Sequence, residues 1–314
     1  MVTAMNRRPF ALILVALLTA ACSQDGTPVN ASPVSYPGWP PSATSDLIPV
    51  PVSTELTVGP NRLLVNLIDN QNEQLASPDR PVELRLYDLA ADPAQPAVTA
   101  PATFLPTIPS LSGLYRAQVT FGRAGDWGLE AITTELDGSH RTGRMVFGVR
   151  ASGTTPAIGA SVPASDTPTA TDAAGIAAIS TDDDPDPVFY STSISAALAA
   201  HEPFVVVFAT PAFCRSATCG PTLDLVKSVA ADYQGRLTFI HIEPYQLQTA
   251  DGHLQPVLST DNIPIPVTAV DEWGLPTEPY IFVVDGAGRL TAKFEGIASA
   301  DELRAAFDGV ANYN

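Results

Sequence analysis

Between residues 52 and 150, apolar and polar positions alternate in short runs. Arg62-Leu-Leu-Val-Asn-Leu-Ile-Asp69 alternates after its start. Val82-Glu-Leu-Arg-Leu-Tyr87, Tyr115-Arg-Ala-Gln-Val-Thr-Phe121 and Trp127-Gly-Leu-Glu-Ala-Ile-Thr133 also alternate, and Arg144-Met-Val-Phe-Gly-Val149 closes the set. Period-two runs broken by Gly, Pro and Asp predict antiparallel strands folded as an all-β sandwich. The grammar changes after residue 186. Ser193 to His201 reads as a short amphipathic helix, and Phe204 to Ala209 as a strand apolar on both faces. Pro221 to Tyr233 carries Leu223, Val226, Val229 and Ala230 at helical spacing, with proline in the first turn, where its missing N–H costs nothing. Leu237 to Ile242, Tyr280 to Val284 and Leu290 to Phe294 read as strands, and Asp301 to Phe307 as a closing helix. Strands alternating with helices in this order predict a mixed sheet flanked by helices, an α/β unit.

The polar stretches divide the chain. Residues 1–21 read as a signal peptide: Arg7 and Arg8, an apolar run from Phe10 to Leu18, and the small residues Thr19-Ala20-Ala21. Cys22 follows at once, an arrangement that resembles the bacterial lipobox and implies lipidation of Cys22. Asn6-Arg-Arg-Pro-Phe10 is also loosely similar to a twin-arginine signal. A plain signal peptide with Cys22 incidental is the alternative. Residues 22–51 and 151–186, rich in Pro, Ser, Thr and Asp, read as a flexible tether and a disordered linker. The sandwich then spans 52–150 and the α/β unit 187–312. A net charge of −17 over 314 residues argues against nucleic acid or an anionic membrane surface as partner.

Three cysteines are present, and setting Cys22 aside leaves Cys214 and Cys219. They lie in a loop between an apolar strand and a helix opened by Gly220-Pro221. Such a setting lowers a thiol pKa and exposes it. A disulfide here closes a small ring that constrains little of the unfolded chain. That favours a bond kept for reactivity, with a loop staple as the alternative.

Three features of residues 187–312 resemble the thioredoxin-like fold. The strand Val205-Val-Val-Phe-Ala209 leads into the thiols, Pro279-Tyr-Ile-Phe-Val-Val-Asp285 matches the proline held in cis beside them, and Gly296 precedes the last helix. Four residues between the cysteines depart from the family's two. Counting from the strand makes Cys214 the nucleophile. Counting from the helix, Cys219-Gly-Pro-Thr222 matches the motif with Thr222 in place of its second cysteine, and this alignment favours Cys219. The family's buried Asp is replaced by Val207. The resemblance further implies that His241, in the strand beneath the thiols, is either a base for them or a satisfied core histidine, with Glu243 on the same face to orient it. It sets Glu278 beside the sulfurs, where a carboxylate raises a thiol pKa and repels acidic clients. The 52–150 block, through Gly113-Leu-Tyr-Arg-Ala-Gln-Val-Thr-Phe121 and Gly125-Asp-Trp-Gly-Leu-Glu130, resembles FixH/YtkA-type Ig-like modules. Copper and oxidase-assembly roles recur among those, but one histidine (His140) and one methionine (Met145) make a thin soft-metal set. Trp127 reads as a core anchor.

Together these imply a thiol–disulfide oxidoreductase, lipid-anchored at the extracytoplasmic face of a bacterial cell membrane, serving protein thiol or disulfide clients without a cofactor. The alternatives are a copper-handling or oxidase-assembly accessory protein and a non-catalytic binding lipoprotein. A peroxidase is disfavoured by the spacing from Pro211 to Cys219. Oligomeric state is left open.

Overall fold

The computed structural model describes residues 36–39, 46–108, 112–135 and 138–312; the leader, Cys22 and most of the tether lie outside them. Seven strands open the described chain: β1 (Ile48–Pro51), β2 (Gly59–Ile68), β3 (Val82–Asp88), β4 (Val98–Ile108), β5 (Ser112–Phe121), β6 (Gly125–Thr134) and β7 (His140–Val149). They form one antiparallel sheet in the order β1-β2-β5-β4-β3-β6-β7. This overturns the expected two-sheet sandwich. The reason is β4, whose prolines hid it from the alternation pattern. Its first half, Val98–Ala102, pairs with β3 and its second half, from Thr103, with β5, so it joins what would otherwise be two sheets. Each half has one partner strand, and a one-sided strand is where Pro101 and Pro106 are tolerated. The sheet curls until its edges nearly meet. Gly143 of β7 lies so close to the first strand that a Cβ would fall 2.1 Å from the Leu47 carbonyl oxygen. Leu63, Val65, Leu84, Leu86, Tyr115 and Trp127 fill the interior.

The rest of the chain contributes α1 (Ala173–Ile179), α2 (Ile194–Ala199), β8 (Phe204–Phe208), α3 (Cys219–Ala230), β9 (Thr238–Ile242), β10 (Leu247–Ala250), β11 (His253–Pro256), α4 (Thr268–Glu272), β12 (Tyr280–Val284), β13 (Leu290–Glu295) and α5 (Ala300–Ala311). Strands β13-β12-β8-β9 make a four-stranded sheet, with β8 parallel to β9 and the other pairs antiparallel. Helices α3 and α5 pack on one face through Leu223, Val226, Leu303 and Phe307, and α2 and α4 on the other through Ile194, Ala197 and Ala269.

This layer is not the separate α/β thioredoxin-like domain that the sequence suggested. Strand (38%) outweighs helix (19%), so the chain is mostly β, and residues 34–314 form one compact unit. Charge and apolar contact weld the two sheets. Arg62 of β2 donates to Glu302 of α5 at 2.7 and 3.0 Å and to the Ile297 carbonyl at 2.7 Å. Arg116 of β5 reaches the same carboxylate at 2.9 Å. Lys293 of β13 pairs with Glu55 at 2.8 Å, and Leu64, Leu105 and Ile297 close an apolar cluster between them.

The segment read as a disordered linker is packed as well. The amides of Gly159 and Val162 donate to the carbonyls of Leu290 and Gly288, Ser165 accepts from the Trp273 indole at 3.2 Å, and Asp172 caps α1. Its polar residues find partners in the fold, so the lack of apolar periodicity did not signal disorder. Part of the tether also docks: β1 pairs with β2, and Trp39 is buried against Tyr87 with Arg144 over its ring at 4.7 Å.

Candidate functional site

One end of the four-stranded sheet holds the start of β12 and the ends of β8 and β9. Tyr280, Phe208 and Ile242 lie in line there, so the segments that continue past them emerge together: Glu278-Pro279, the thiol loop from Thr210, and Glu243-Pro244-Tyr245. The loop returns on itself through Ala217, at φ 57°, and α3 begins at Cys219.

Both cysteines are free thiols. The fold-back lays the half-buried Cys214 sulfur over the start of α3, where it accepts the Cys219 amide at 3.3 Å and lies 3.2 Å from the Ser216 hydroxyl. Thr218, the residue before the helix, makes no side-chain cap; the sulfur of Cys214 takes that place. Helix-terminal N–H groups lacking intrahelical partners favour an anion. The neighbouring Cys219 thiol first, then the Ser216 hydroxyl and the amides of Cys219 and Thr218, hold the Cys214 thiol down at about 5 against the opposing effect of burial. Cys219 is fully buried and its thiol is pushed far up, first by the neighbouring Cys214 and then by desolvation. The expected order is therefore reversed. The helix terminus serves the upstream sulfur, which folds back over it, and not the residue in the helix itself.

The Glu278–Pro279 peptide is cis. Burial pushes the Tyr245 hydroxyl well up, and the Glu278 carboxyl adds to that shift. Burial first, and then the charge of Cys214, push Glu278 above the ordinary carboxylate value, while Tyr245 and Arg215 oppose. Its charge is also felt by Cys219.

His241 is buried away from the sulfurs' chemistry. Its Nε2 lies 2.9 Å from the Ala209 carbonyl, and its Nδ1 lies 2.9 Å from the Tyr190 hydroxyl, which Ser180 also meets at 2.9 Å. With the carbonyl taking the Nε2 proton, Nδ1 is left to accept, and desolvation holds the ring neutral, at about 4. This is the satisfied core histidine. Glu243 does not orient it; its carboxylate accepts the Thr181 amide at 2.7 Å. Thr181 in turn accepts the amide of Ala212 in the thiol loop at 3.2 Å, and the neighbouring Asp182 pairs with Lys227 of α3 at 2.8 Å. The strap 180–182 thus props the loop from below. Tyr245, Thr181 and Asp182 went unrecognised in the sequence because single hydroxyls and carboxylates in polar segments carry no spacing signal.

Cys22 lies outside the described residues, and among those described no helix is long and apolar enough to cross a membrane. Nor do any three His, Cys, Asp or Glu among them gather as a metal site. Trp127 is a core residue, its indole bonded to the Arg123 carbonyl at 3.1 Å. His140 and Met145 are exposed on β7, paired with Thr134 and Leu129.

No protein-family profile matches the chain, and no curated protein matches it. Among solved structures, the crystal structure of the soluble domain of PmoD from Methylocystis sp. ATCC 49242 (Rockwell) is similar over 30% of this chain and 76% of its own, at 22% identity and a TM-score of 0.18. So slight a likeness decides neither fold nor function. Neither a thioredoxin-like nor an Ig-like family is shown for this chain.

Proposed function

We propose that Cys214 and Cys219 form a working dithiol–disulfide couple and that the protein exchanges disulfides with protein clients, Cys214 attacking and Cys219 resolving. The observation that carries this reading is a half-exposed, acidic Cys214 sulfur that accepts the amide of Cys219 at the start of a helix, with the thiol of Cys219 itself buried. A thiol held at about 5 is ionised at neutral pH, and the thiolate is the attacking species. It opens a client disulfide, forming a mixed disulfide at Cys214 and releasing one client thiolate. Cys219 then attacks the Cys214 sulfur, closing the Cys214–Cys219 bond and releasing the second client thiolate. Two electrons pass from the pair to the client, and the reverse sequence oxidises a client dithiol. The low value also makes Cys214 a good leaving group, which favours the reverse direction.

The place of work proposed is the extracytoplasmic face of the membrane, with Cys22 lipidated. The leader-like start and a cysteine pair suited to an oxidising compartment support it. The test is trapping. Reduced protein mixed with glutathione disulfide is quenched in acid and tagged. Cys219→Ser is expected to accumulate glutathione on Cys214, while Cys214→Ser acquires none. If the unaltered protein stays reduced throughout, the reading is wrong.

A further inference from the structure

The segment between β9 and α4 leaves the sheet end that carries the thiol loop, where Ile242 lies in line with Phe208. It runs out as β10, back as β11, and then returns along its own start. The amide of Gln246 donates to the Ile265 carbonyl at 2.9 Å, and the amide of Ile265 to the Val257 carbonyl at 2.8 Å. Backbone bonds hold this arm together without a core. From Tyr245 to Thr268 not one residue is fully buried, and Leu258 and Ile263 are 47% and 61% exposed. Apolar side chains left uncovered on such a ribbon mark a contact surface. Where the arm meets α1 there is a cleft of about 210 Å³, lined by Ala178 and Ile179 of the helix and by Leu247, Val267 and Tyr245 of the arm. Pockets that enclose whole small molecules run to about 300–1,000 Å³. This one suits a single bulky apolar side chain of a larger partner.

The chain that frames this cleft carries charge of one sign. Residues 151–214 and 237–288 contain no Lys or Arg. Between them come Arg215, Lys227 and Arg236. Lys227 is taken up by Asp182 and Asp224 at 2.8 and 3.0 Å, and Arg236 lies over the Tyr233 ring at 4.6 Å. Asp183 and Asp184, which continue the strap that follows α1, are exposed, and no ion pair engages either among the described residues. The arm adds Asp251 and Asp261, also exposed. The strap in turn meets the thiol loop through Thr181 and the Ala212 amide. Cleft, carboxylates and reactive sulfur thus follow one another along the β9 flank of the sheet. We infer that the clients are basic polypeptide segments that lie along this flank, with one apolar side chain in the cleft between α1 and the arm and cationic residues over Asp183 and Asp184. The inference rests on the exchange reading above and names its substrate class. Complementary charge speeds encounter with such segments, and juxtaposed like charge disfavours acidic ones.

The experiment compares two synthetic peptides in the full, reduced chain. Each has one cysteine, capped as a mixed disulfide with 2-mercaptoethanol, and a leucine flanked by either lysines or glutamates. Their rates of opening are divided by the rate the same protein shows with hydroxyethyl disulfide, which is uncharged and too small to span the flank. The lysine peptide is expected to lead the glutamate peptide by about 10-fold or more at low salt, and the gap to close as salt is raised. Asp183→Asn with Asp184→Asn should narrow the gap. Ala178→Trp, which fills the cleft, should slow the lysine peptide to the rate of its counterpart with serine in place of leucine. All three positions are exposed, so neither variant cuts into the core. Equal ratios for the two peptides, or a preference that neither variant moves, overturns the inference while leaving exchange intact. A dimer in sedimentation that Ala178→Trp dissociates would place a second copy in the cleft and overturns it as well. If hydroxyethyl disulfide leaves Cys214 reduced, the exchange reading fails and the inference falls with it.

Discussion

The amide of Cys219 points at the sulfur of Cys214 across 3.3 Å. One hydrogen bond thereby hands the positive end of α3 to a residue five positions upstream and leaves the helix's own cysteine buried and protonated. Removing the Cys219 thiol tests that division of labour. Cys219→Ala keeps the amide but loses the thiol, and is expected to raise the Cys214 midpoint from about 5 toward the free-thiol value of about 8.5. Thiolate absorbance against pH reads it, and an unmoved midpoint contradicts the assignment.

Glu302 welds the two sheets. Burial alone would lift its carboxyl, but Arg62 and Arg116 outweigh it and hold the group at about 2. Its folded value lies below the unfolded one, so the stabilisation is full above about 4.3 and is lost as pH falls toward 2. Glu302→Ala leaves two guanidinium groups facing each other without an anion and is expected to cost about 3 kcal/mol in urea unfolding at neutral pH. It should also flatten the acid limb. A loss below about 0.5 kcal/mol would place this pair among ordinary surface bridges.

His241 behaves in the opposite sense to a catalytic base. Burial depresses its value to about 4 from an unfolded value near 6.5. The unfolded chain therefore binds a proton first, and stability falls as pH drops from about 6.5 to 4. His241→Phe leaves the Tyr190 hydroxyl and the Ala209 carbonyl short of a partner and is expected to cost about 1–3 kcal/mol. The pH profile of exchange should not move; a lost limb in that profile would return the imidazole to the chemistry.

Thr181→Val removes the hydroxyl that accepts the Ala212 amide. Expected are a loss of about 1–3 kcal/mol and faster hydrogen exchange at Ala212, while the Cys214 mixed disulfide still forms. Unchanged exchange at that amide would mean that the 180–182 strap does not support the loop.

Much of this was legible in the sequence, but unevenly. Alternation located β2, β3, β5, β6 and β7, because their polar positions interleave with residues such as Leu84 and Leu86 of β3 or Tyr115 and Ala117 of β5 that fill the core. It could not locate β4, where Pro101 and Pro106 interrupt the pattern, and so it missed the strand that turns two expected sheets into one. Apolar runs located β8, β9 and β12, yet nothing in a local pattern states that Arg62 and Glu302, 240 residues apart, will join the two layers. The cysteine loop was legible as a thiol site. Which sulfur the helix would serve was not, since that depends on the left-handed turn at Ala217, a residue with no intrinsic preference for it. The 151–186 segment misled because polar composition reports how little apolar surface a stretch buries, and not whether its hydrogen-bonding groups are satisfied by the fold.

The reduction potential of the Cys214–Cys219 couple, taken by equilibrating the full chain in glutathione buffers and tagging the remaining thiols, tests the central claim most directly. A thiolate stabilised this strongly favours the reduced form, and the expected potential lies above about −300 mV with both cysteines responding together. A potential well below that value, or a pair that never equilibrates with glutathione, would mark a loop staple and contradict the account.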